Sequence, residues 1–421
     1  MRRVRIFLVG MLCSVAGAAA ASTPEATPKL PQHAYVWQRS WTPTIRQGVA
    51  ENGPAFGGLD ILVAEVTPRA TPAGTVVVQP DWAALRATGR PIGVVVRVGP
   101  LNGSTANDGA ATRAITRACI DALARARAAG IEPAELQIDF DAATNRLADY
   151  RAWLQVLRRE VHPPRLVITA LPDWLRSAEF PALAREAGAY VLQVHSLEKP
   201  TGVEEPVSLC DPDRAEAWIS AASTLGIPFR VALPAYGYRV AFGRDGRFLG
   251  LQAEGPVRAW PAGSTVRTAL ADPAPLARLV RRLLAAPPPA CEGLVWFRLP
   301  GANDELAWRW PTLAAVMKGE EPQGRLELSP APTGDGTSDL VLLNPGNAQT
   351  NLSGFRLRWQ DATLVAADAI GGWRLERTGP GELTVQPPSE ARDDLLFPGD
   401  RRKVGWLRLS HDVAVTATPL R

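Results

Sequence analysis

Histidine, cysteine and long apolar runs are all scarce in this 421-residue sequence. Histidine occurs at His33, His162, His195 and His411, with no His-x-x-x-His pair and no Cys/His cluster. The ligand spacing of a zinc hydrolase or metal-dependent deacetylase is therefore missing, and neither a metal nor a cofactor is expected. The chain also lacks a Gly-x-Ser-x-Gly elbow, a phosphate loop and a glycine fingerprint after its first strand-like run, which argues against serine-hydrolase, nucleotidase and dinucleotide-binding patterns. The formal net charge of +4 includes Arg2, Arg3 and Arg5. Without them the chain is nearly neutral and has no basic footprint for nucleic acid. Nothing in the sequence fixes an oligomeric state.

The four cysteines are distributed unevenly. Cys13 lies in the opening segment, after Leu12, which is not the small residue that a lipid-anchored cysteine needs before it. Cys119 shares a helical period with Ile115, Ile120 and Leu123 and reads as a buried thiol. Cys210 and Cys291 fall in loops, where an oxidising compartment would allow a disulfide and where two unpaired thiols are the alternative.

The opening segment has the form of a signal peptide. A basic start, Met1 to Arg5, leads into an apolar run from Ile6 to Val15 and then into small residues from Ala16 to Ala21. The run is too short for a stable membrane helix, and no later stretch reaches about 18 uninterrupted apolar residues. The expectation is an exported bacterial protein, periplasmic or secreted, cleaved after residues 1–21 and left without a membrane span. Residues 22–32, rich in Pro, Thr and Ala, read as a flexible leader.

Eight β-rich runs follow, at His33–Arg39, Gly58–Val66, Pro91–Val98, Leu136–Asp141, Arg165–Leu171, Ala189–Ser196, Phe229–Leu233 and Gly293–Leu299. Amphipathic stretches at Ala111–Ala129, Ala148–Val161, Asp213–Leu225 and Pro275–Ala285 lie between them, and Glu305–Met317 closes the series. Alternation of this kind predicts parallel β-α-β units, and eight units predict a (β/α)8 TIM barrel over residues 33–320. A doubly wound open sheet is the rival. After a linker at Lys318–Gly324 the pattern changes. Seven short runs between Arg325 and Leu409 predict an all-β, β-sandwich-like domain over residues 321–421. That domain either binds a ligand or braces the barrel.

Barrel chemistry sits at the carboxyl ends of the strands, and strand side chains alternate between faces. In Leu136-Gln137-Ile138-Asp139-Phe140-Asp141 the apolar residues face the helices, which points Gln137, Asp139 and Asp141 into the barrel. Two carboxylates at i and i+2 raise one another's proton affinity, so one stays protonated while the other ionises. A capping or salt-bridged pair at a strand end is the structural alternative. Glu65, Arg97, Asp173, Gln193, His195, Tyr236 and the pair Trp296 and Arg298 end other strands. Tryptophan, at 13 residues, outnumbers the 10 Phe and 5 Tyr. Trp37, Trp41, Trp174, Trp260 and Trp296 fall at strand ends or in loops, whereas Trp153 and Trp218 read as core-facing helix residues. Rings, amides, acids and guanidiniums converging on one rim suit a polysaccharide or oligosaccharide.

Four segments carry a family resemblance: Ala34-Tyr35-Val36-Trp37-Gln38-Arg39, Leu136 to Asp141, Thr169 to Leu175, and Gln193 to Pro200. In these the chain resembles a bacterial domain of unknown function, family 3142, which implies an exported barrel and supplies no reaction. More distantly it is similar to glycoside hydrolase family 18, the chitinase-like barrels. Their fourth strand ends in Asp-x-Asp-x-Glu with the Glu as acid, and Gln137, Asp139 and Asp141 hold the same places here. Trp296 is similar to the tryptophan under the sugar in that family. Gln137 departs from the first Asp, Asp141 is one methylene shorter than Glu, and Gln193 and His195 replace Met-x-Tyr.

Three readings follow. In a glycosidase, Asp141 would protonate the leaving oxygen and Asp139 would orient an acetamido group or stabilise developing positive charge. Asp173 or Glu65 is an alternative second carboxylate. Trp37, Gln137, Trp174 and Arg298 would join Gln193, His195, Arg97 and Tyr236 around the substrate, with Trp296 as floor. The other two readings are a glycan-binding protein without catalysis and a structural envelope protein.

Overall fold

The computed structural model describes residues 30–67, 74–100, 109–195, 199–253, 259–301, 304–388 and 395–420. The expected signal peptide and residues 22–29 of the leader lie outside the described residues, as do Ser196 to Glu198.

Among the described residues, eight parallel strands close into a barrel. They are β1 (Gln32–Val36), β2 (Gly58–Thr67), β3 (Ile92–Val98), β4 (Glu135–Asp139), β5 (Leu166–Ala170), β6 (Ala189–Gln193), β7 (Phe229–Pro234) and β8 (Cys291–Phe297). Each pairs with its sequence neighbour, and β1 pairs with both β2 and β8, so no open edge remains in the ring. The antiparallel strand Gly74–Val77 adds to β2 outside the ring.

Among the described residues, eight α-helices follow the strands: α1 (Pro43–Asn52), α2 (Trp82–Ala87), α3 (Gly109–Ala128), α4 (Leu147–Val161), α5 (Phe180–Ala187), α6 (Pro212–Ser223), α7 (Pro273–Ala285) and α8 (Trp310–Met317). Several start on sequence-encoded caps. The Asp211 carboxylate accepts from the backbone N–H groups of Asp213 and Arg214, and Asp81 and Asp272 do the same for α2 and α7. None of the described helices is long and apolar enough to cross a membrane. The final helix begins at Trp310, not at Glu305.

The apolar residues divide as the alternation requires. Leu136 and Ile138 of β4 pack against the helices in one large cluster, while Tyr35, Val95, Val167, Val191, Ala232 and Val295 form a small cluster inside the ring. The amino end of the ring interior is ionic. Arg230 of β7 reaches Asp60 of β2 (Nη1 to Oδ2, 3.5 Å) and Glu135 of β4, and its Nη1 lies 3.0 Å from His33 Nδ1. Gly93 of β3 makes room, because a methyl group there would overlap the Asp60 carboxylate. None of these charges was legible as a site. They sit at strand beginnings, where a polar residue looks like the end of a loop.

An antiparallel sheet of Gly237–Phe242, Phe248–Gln252 and Thr265–Leu270 is inserted between β7 and α7. The Gly243–Gly246 turn joins its first two strands; Gly246 has φ of 73°, and Asp245 accepts from the Arg247 N–H. The sequence pattern missed this sheet because its two outer strands, Phe248–Gln252 and Thr265–Leu270, hold only half-buried and exposed positions.

Among the described residues beyond α8, the chain forms two four-stranded antiparallel sheets and a separate two-stranded pair, with Leu340, Leu342, Phe355, Leu357, Val385 and Leu407 among the residues buried in the shared core. All seven expected strands are present. Three short ones, Thr350–Asn351, Leu395–Leu396 and Thr416–Pro419, carried too little pattern to read. This domain touches the barrel helices: Thr312 donates to the Asn347 carbonyl, and the Arg309 guanidinium lies over the Phe397 ring. Cys119, Cys210 and Cys291 are free thiols, so the disulfide alternative for Cys210 and Cys291 is not realised. The Cys210 and Cys291 thiols donate instead to the Val194 and Gly293 carbonyls.

Candidate active site

A cleft of about 780 Å³ opens at the carboxyl ends of the strands. Period-2 alternation along β1 and just beyond sends Tyr35, Trp37 and Arg39 into it. The chain then adds Glu65 from β2, Arg97 from β3, Asp139 from β4 with Asp141 two residues on, and Thr169 from β5 followed by Asp173. Gln193 and His195 enter from β6, Tyr236 and Tyr238 from beyond β7, and Phe297 and Arg298 from β8. Arg214 and Trp218 of α6 and Leu251 of the inserted sheet complete the wall.

A bulge lets Glu65 face inward. Asp60 and Glu65 are five residues apart, which would place them on opposite faces of a regular strand. One extra residue in β2, between the partners of Val95 and Val96, resets the phase, so Glu65 pairs in register with Arg97.

The acids are held by a continuous polar network. Arg39 Nε lies 2.6 Å from Glu65 Oε2, and Arg97 Nη1 lies 3.4 Å from Glu65 Oε1. Arg97 Nε reaches Asp139 Oδ2 at 3.7 Å. Thr169 Oγ1 donates to Asp139 Oδ1 (2.9 Å), and Gln193 Nε2 approaches the same oxygen at 3.4 Å. Across the cleft, the Tyr236 hydroxyl lies 3.0 Å from that of Tyr238 and 3.4 Å from His195 Nδ1.

Burial and charge separate the two aspartates. Asp139, 8% exposed, has its carboxyl pushed up to about 6, first by loss of solvent and then by the negative charge of Asp141, against the opposing pull of Arg97, Thr169 and Gln193. Asp141 stands higher in the mouth and is exposed. Partial burial raises it as well, and Arg97 opposes the shift. His195 is pushed down to about 4 by burial, so its ring is neutral at pH 7.

Ten of the residues singled out in the sequence line this cleft: Trp37, Glu65, Arg97, Asp139, Asp141, Asp173, Gln193, His195, Tyr236 and Arg298. Arg298 is tied down within the wall, donating to the Ala253 carbonyl and ion-pairing with Asp304. Gln137, Trp174 and Trp296 do not line it. Gln137 faces inward as expected but is sealed under Tyr35, accepting from its hydroxyl (2.8 Å) and donating to Glu135 (2.6 Å). Trp174 lies on a 3-10 turn, Pro172–Arg176, which places it in the core beside Tyr150 and Phe180, where its Nε1 donates to the Ala142 carbonyl. Trp296 belongs to the outward phase of β8, buried near Trp308 with its Nε1 donating to Gln32. The inward phase of β8 is Val295 and Phe297, so Phe297 occupies the place expected of Trp296. Nothing in the all-apolar run Leu294–Phe297 distinguished the two phases.

Trp218 packs against the core as expected and also lines the cleft, with the Arg214 guanidinium 5.0 Å above its ring. Tyr35 and Arg39 were missed, although their two-residue spacing from Trp37 was a usable signal.

The model of a domain of unknown function, DUF3142, matches residues 88–302, more than half of the chain. A second domain of unknown function, DUF8456, matches residues 328–410. No curated protein matches the chain. Among solved structures, a chitinase from Chromobacterium violaceum is similar at 17% identity and a TM-score of 0.48, over 69% of this chain and 98% of that one. The spore cortex-lytic enzyme SleL of Bacillus megaterium is similar at 12% identity and a TM-score of 0.49, over 69% of this chain and 74% of that one. A family 18 N-acetylglucosaminidase from Paenibacillus barengoltzii is similar at 13% identity and a TM-score of 0.43, over 69% and 99% of the two chains.

Proposed function

We propose that this chain, which belongs to the DUF3142 family, binds a polysaccharide in the strand-end cleft and cleaves a glycosidic bond there. The observation that carries the reading is the pair Asp139 and Asp141, which line an open cleft together with the rings of Tyr35, Trp37 and Phe297. An acid pair in a ring-lined cleft supplies what hydrolysis of a sugar acetal needs: apolar faces for the sugar C–H surfaces and a carboxyl that holds a proton above the ordinary carboxylate range.

Asp141, higher in the mouth, protonates the leaving oxygen as its bond to the sugar carbon breaks; water adds to that carbon and returns a proton to Asp141, which restores the acid. Asp139, deeper and fixed by Thr169, Gln193 and Arg97, stabilises the positive charge that develops at the sugar or orients a neighbouring substituent. Gln193, Tyr236 and neutral His195 hold hydroxyl groups. The opening segment of the sequence supports action outside the cytoplasm, on envelope or extracellular polysaccharide, after loss of residues 1–21. N-terminal sequencing of protein recovered from the periplasm or medium tests that part.

The deciding experiment is a screen of envelope and exopolysaccharide glycans against wild type and Asp141→Asn. Wild type is expected to release reducing ends from at least one glycan, and the variant to lose about 10²–10⁴-fold in rate while still binding it. Equal cleavage by the variant removes Asp141 from the mechanism. Binding without any cleavage by wild type leaves a glycan-binding protein instead of an enzyme.

A further inference from the structure

The all-β domain carries a cavity of its own. About 430 Å³ in volume, it lies where the outer strands of the two four-stranded sheets, Leu364–Ala369 and Arg374–Gly379, meet at one side of the domain. The chain passes from one strand to the other through Gly371 and Gly372, whose φ angles of 65° and 80° make the turn. Trp373, 6% exposed and packed in the core, forms an apolar floor. Pairing places Arg374 opposite Gln386 and Glu376 opposite Thr384, so Arg374, Glu376 and Gln386 share the outer face of their sheet while Leu375 turns to the core. Asp368 lines the cavity from the other strand. Among the described residues, none of the exposed side chains of Asp368, Arg374 and Glu376 takes part in an ion pair, although all three line one cavity.

From this we infer that the all-β domain holds a neutral saccharide unit in this cavity, with Arg374 and Gln386 donating to sugar hydroxyls and Asp368 and Glu376 accepting from them. The volume falls in the range of small-ligand sites, about 300–1,000 Å³. The lining then selects among ligands. An anion would face two carboxylates. A metal ion would face the Arg374 guanidinium, and the described residues hold no group of three metal-binding side chains. A peptide adding as a strand needs a regular row of backbone groups, and both outer strands break register, between Leu364 and Ala366 and between Arg377 and Gly379. The Asp368 carboxylate also accepts from the Ala369 N–H (2.8 Å), which takes a backbone donor off that edge. A hydroxyl group both donates and accepts, so a polyol can use carboxylate, guanidinium and amide together. The site stands in a different domain from the strand-end cleft and gives the chain a second hold on a polysaccharide; only that pairing of two holds rests on the carbohydrate reading of the cleft.

The test is calorimetry on the full chain with neutral oligosaccharides of glucose, mannose, galactose, xylose and N-acetylglucosamine. The proteins compared are wild type, the cleft variant Trp37→Ala, and Trp37→Ala combined with Arg374→Ser or with Glu376→Ser. At least one sugar is expected to keep binding Trp37→Ala, and that binding to fall about tenfold or more in either combined variant, the loss for one charge-assisted hydrogen bond. Arg374 and Glu376 stand in solvent, so their substitution does not threaten the fold, which near-UV circular dichroism verifies. Equal binding in the combined variants, or no binding left in Trp37→Ala, would overturn the second site and leave the cleft reading standing. Binding that Trp37→Ala leaves whole and Arg374→Ser abolishes would keep this site and remove the cleft as a site for that sugar. Failure of every sugar to bind wild type would overturn the second site, while the cleft reading is decided separately by the cleavage screen.

Discussion

The two ends of the barrel interior are built from the same parts and behave differently. Strands β2 and β4 each carry an acid at both ends, Asp60 and Glu135 at the base, Glu65 and Asp139 at the mouth. In each place one arginine bridges the two acids, Arg230 below and Arg97 above. At the base all three side chains are buried, with Arg230 5% exposed, and His33 and Gln137 occupy further polar positions. At the mouth the bridging arginine is half exposed to solvent. A closed cluster can only hold the fold together, whereas an open one has capacity left for a ligand. The difference lies in burial and not in residue type.

Breaking the base should have the largest effect. Arg230→Met would leave Asp60 and Glu135 buried without their cation and is expected to cost about 3–5 kcal/mol of stability in urea unfolding. A loss below about 1 kcal/mol would mean that the cluster is not structural. Burial raises the Asp60 carboxyl, but Arg230 and His33 outweigh it and leave it below the ordinary range. Its contribution is therefore present above the unfolded carboxylate range and is lost as pH falls through the folded value.

At the mouth the expected sign is opposite. The folded protein keeps the Asp139 proton up to about pH 6, while an unfolded chain releases it near the ordinary value of about 4. Between these values the folded state binds more protons, so this group makes wild type less stable as pH rises. Asp139→Asn is expected to raise stability at pH 7, by up to about 3 kcal/mol, with the gain vanishing toward pH 4. Thermal melts across this range decide it, and a destabilised variant at pH 7 would show that Asp139 acts as a structural anion.

His195 sharpens the contrast within the mouth. With its ring pushed down to about 4, the unfolded state binds the extra proton between there and about 6.5. Wild type should lose stability as pH falls through that window, and His195→Gln should flatten the slope. An unchanged slope would place a protonated ring in the folded cleft. The smallest stability effect belongs to Arg97→Gln, under about 1 kcal/mol, because the guanidinium is half exposed, its contacts are long and Arg39 still pairs with Glu65. Its signature is instead an upward shift in the carboxyl titrations of Asp139 and Asp141, read by ¹³C NMR, because Arg97 pulls both downward.

The order of barrel strands, the alternation along β4 and the pair of aspartates were legible because they are local: period 2 and a run of strand-helix units are written in neighbouring residues. The sequence by itself thus determined the (β/α)8 ring, the all-β domain after it and the inward direction of Asp139. Which face of β8 looked inward was not local, since Val295, Trp296 and Phe297 are all apolar and only closure of the ring against β1 and β7 selected Phe297. Tertiary structure likewise decided that a bulge turns Glu65 toward Arg97, that Gln137 is sealed while Asp139 is reached, and that Trp218 lines the cleft as well as packing against the core. Burial is a property of what packs around a residue, and those neighbours come from strands and helices distant in the chain.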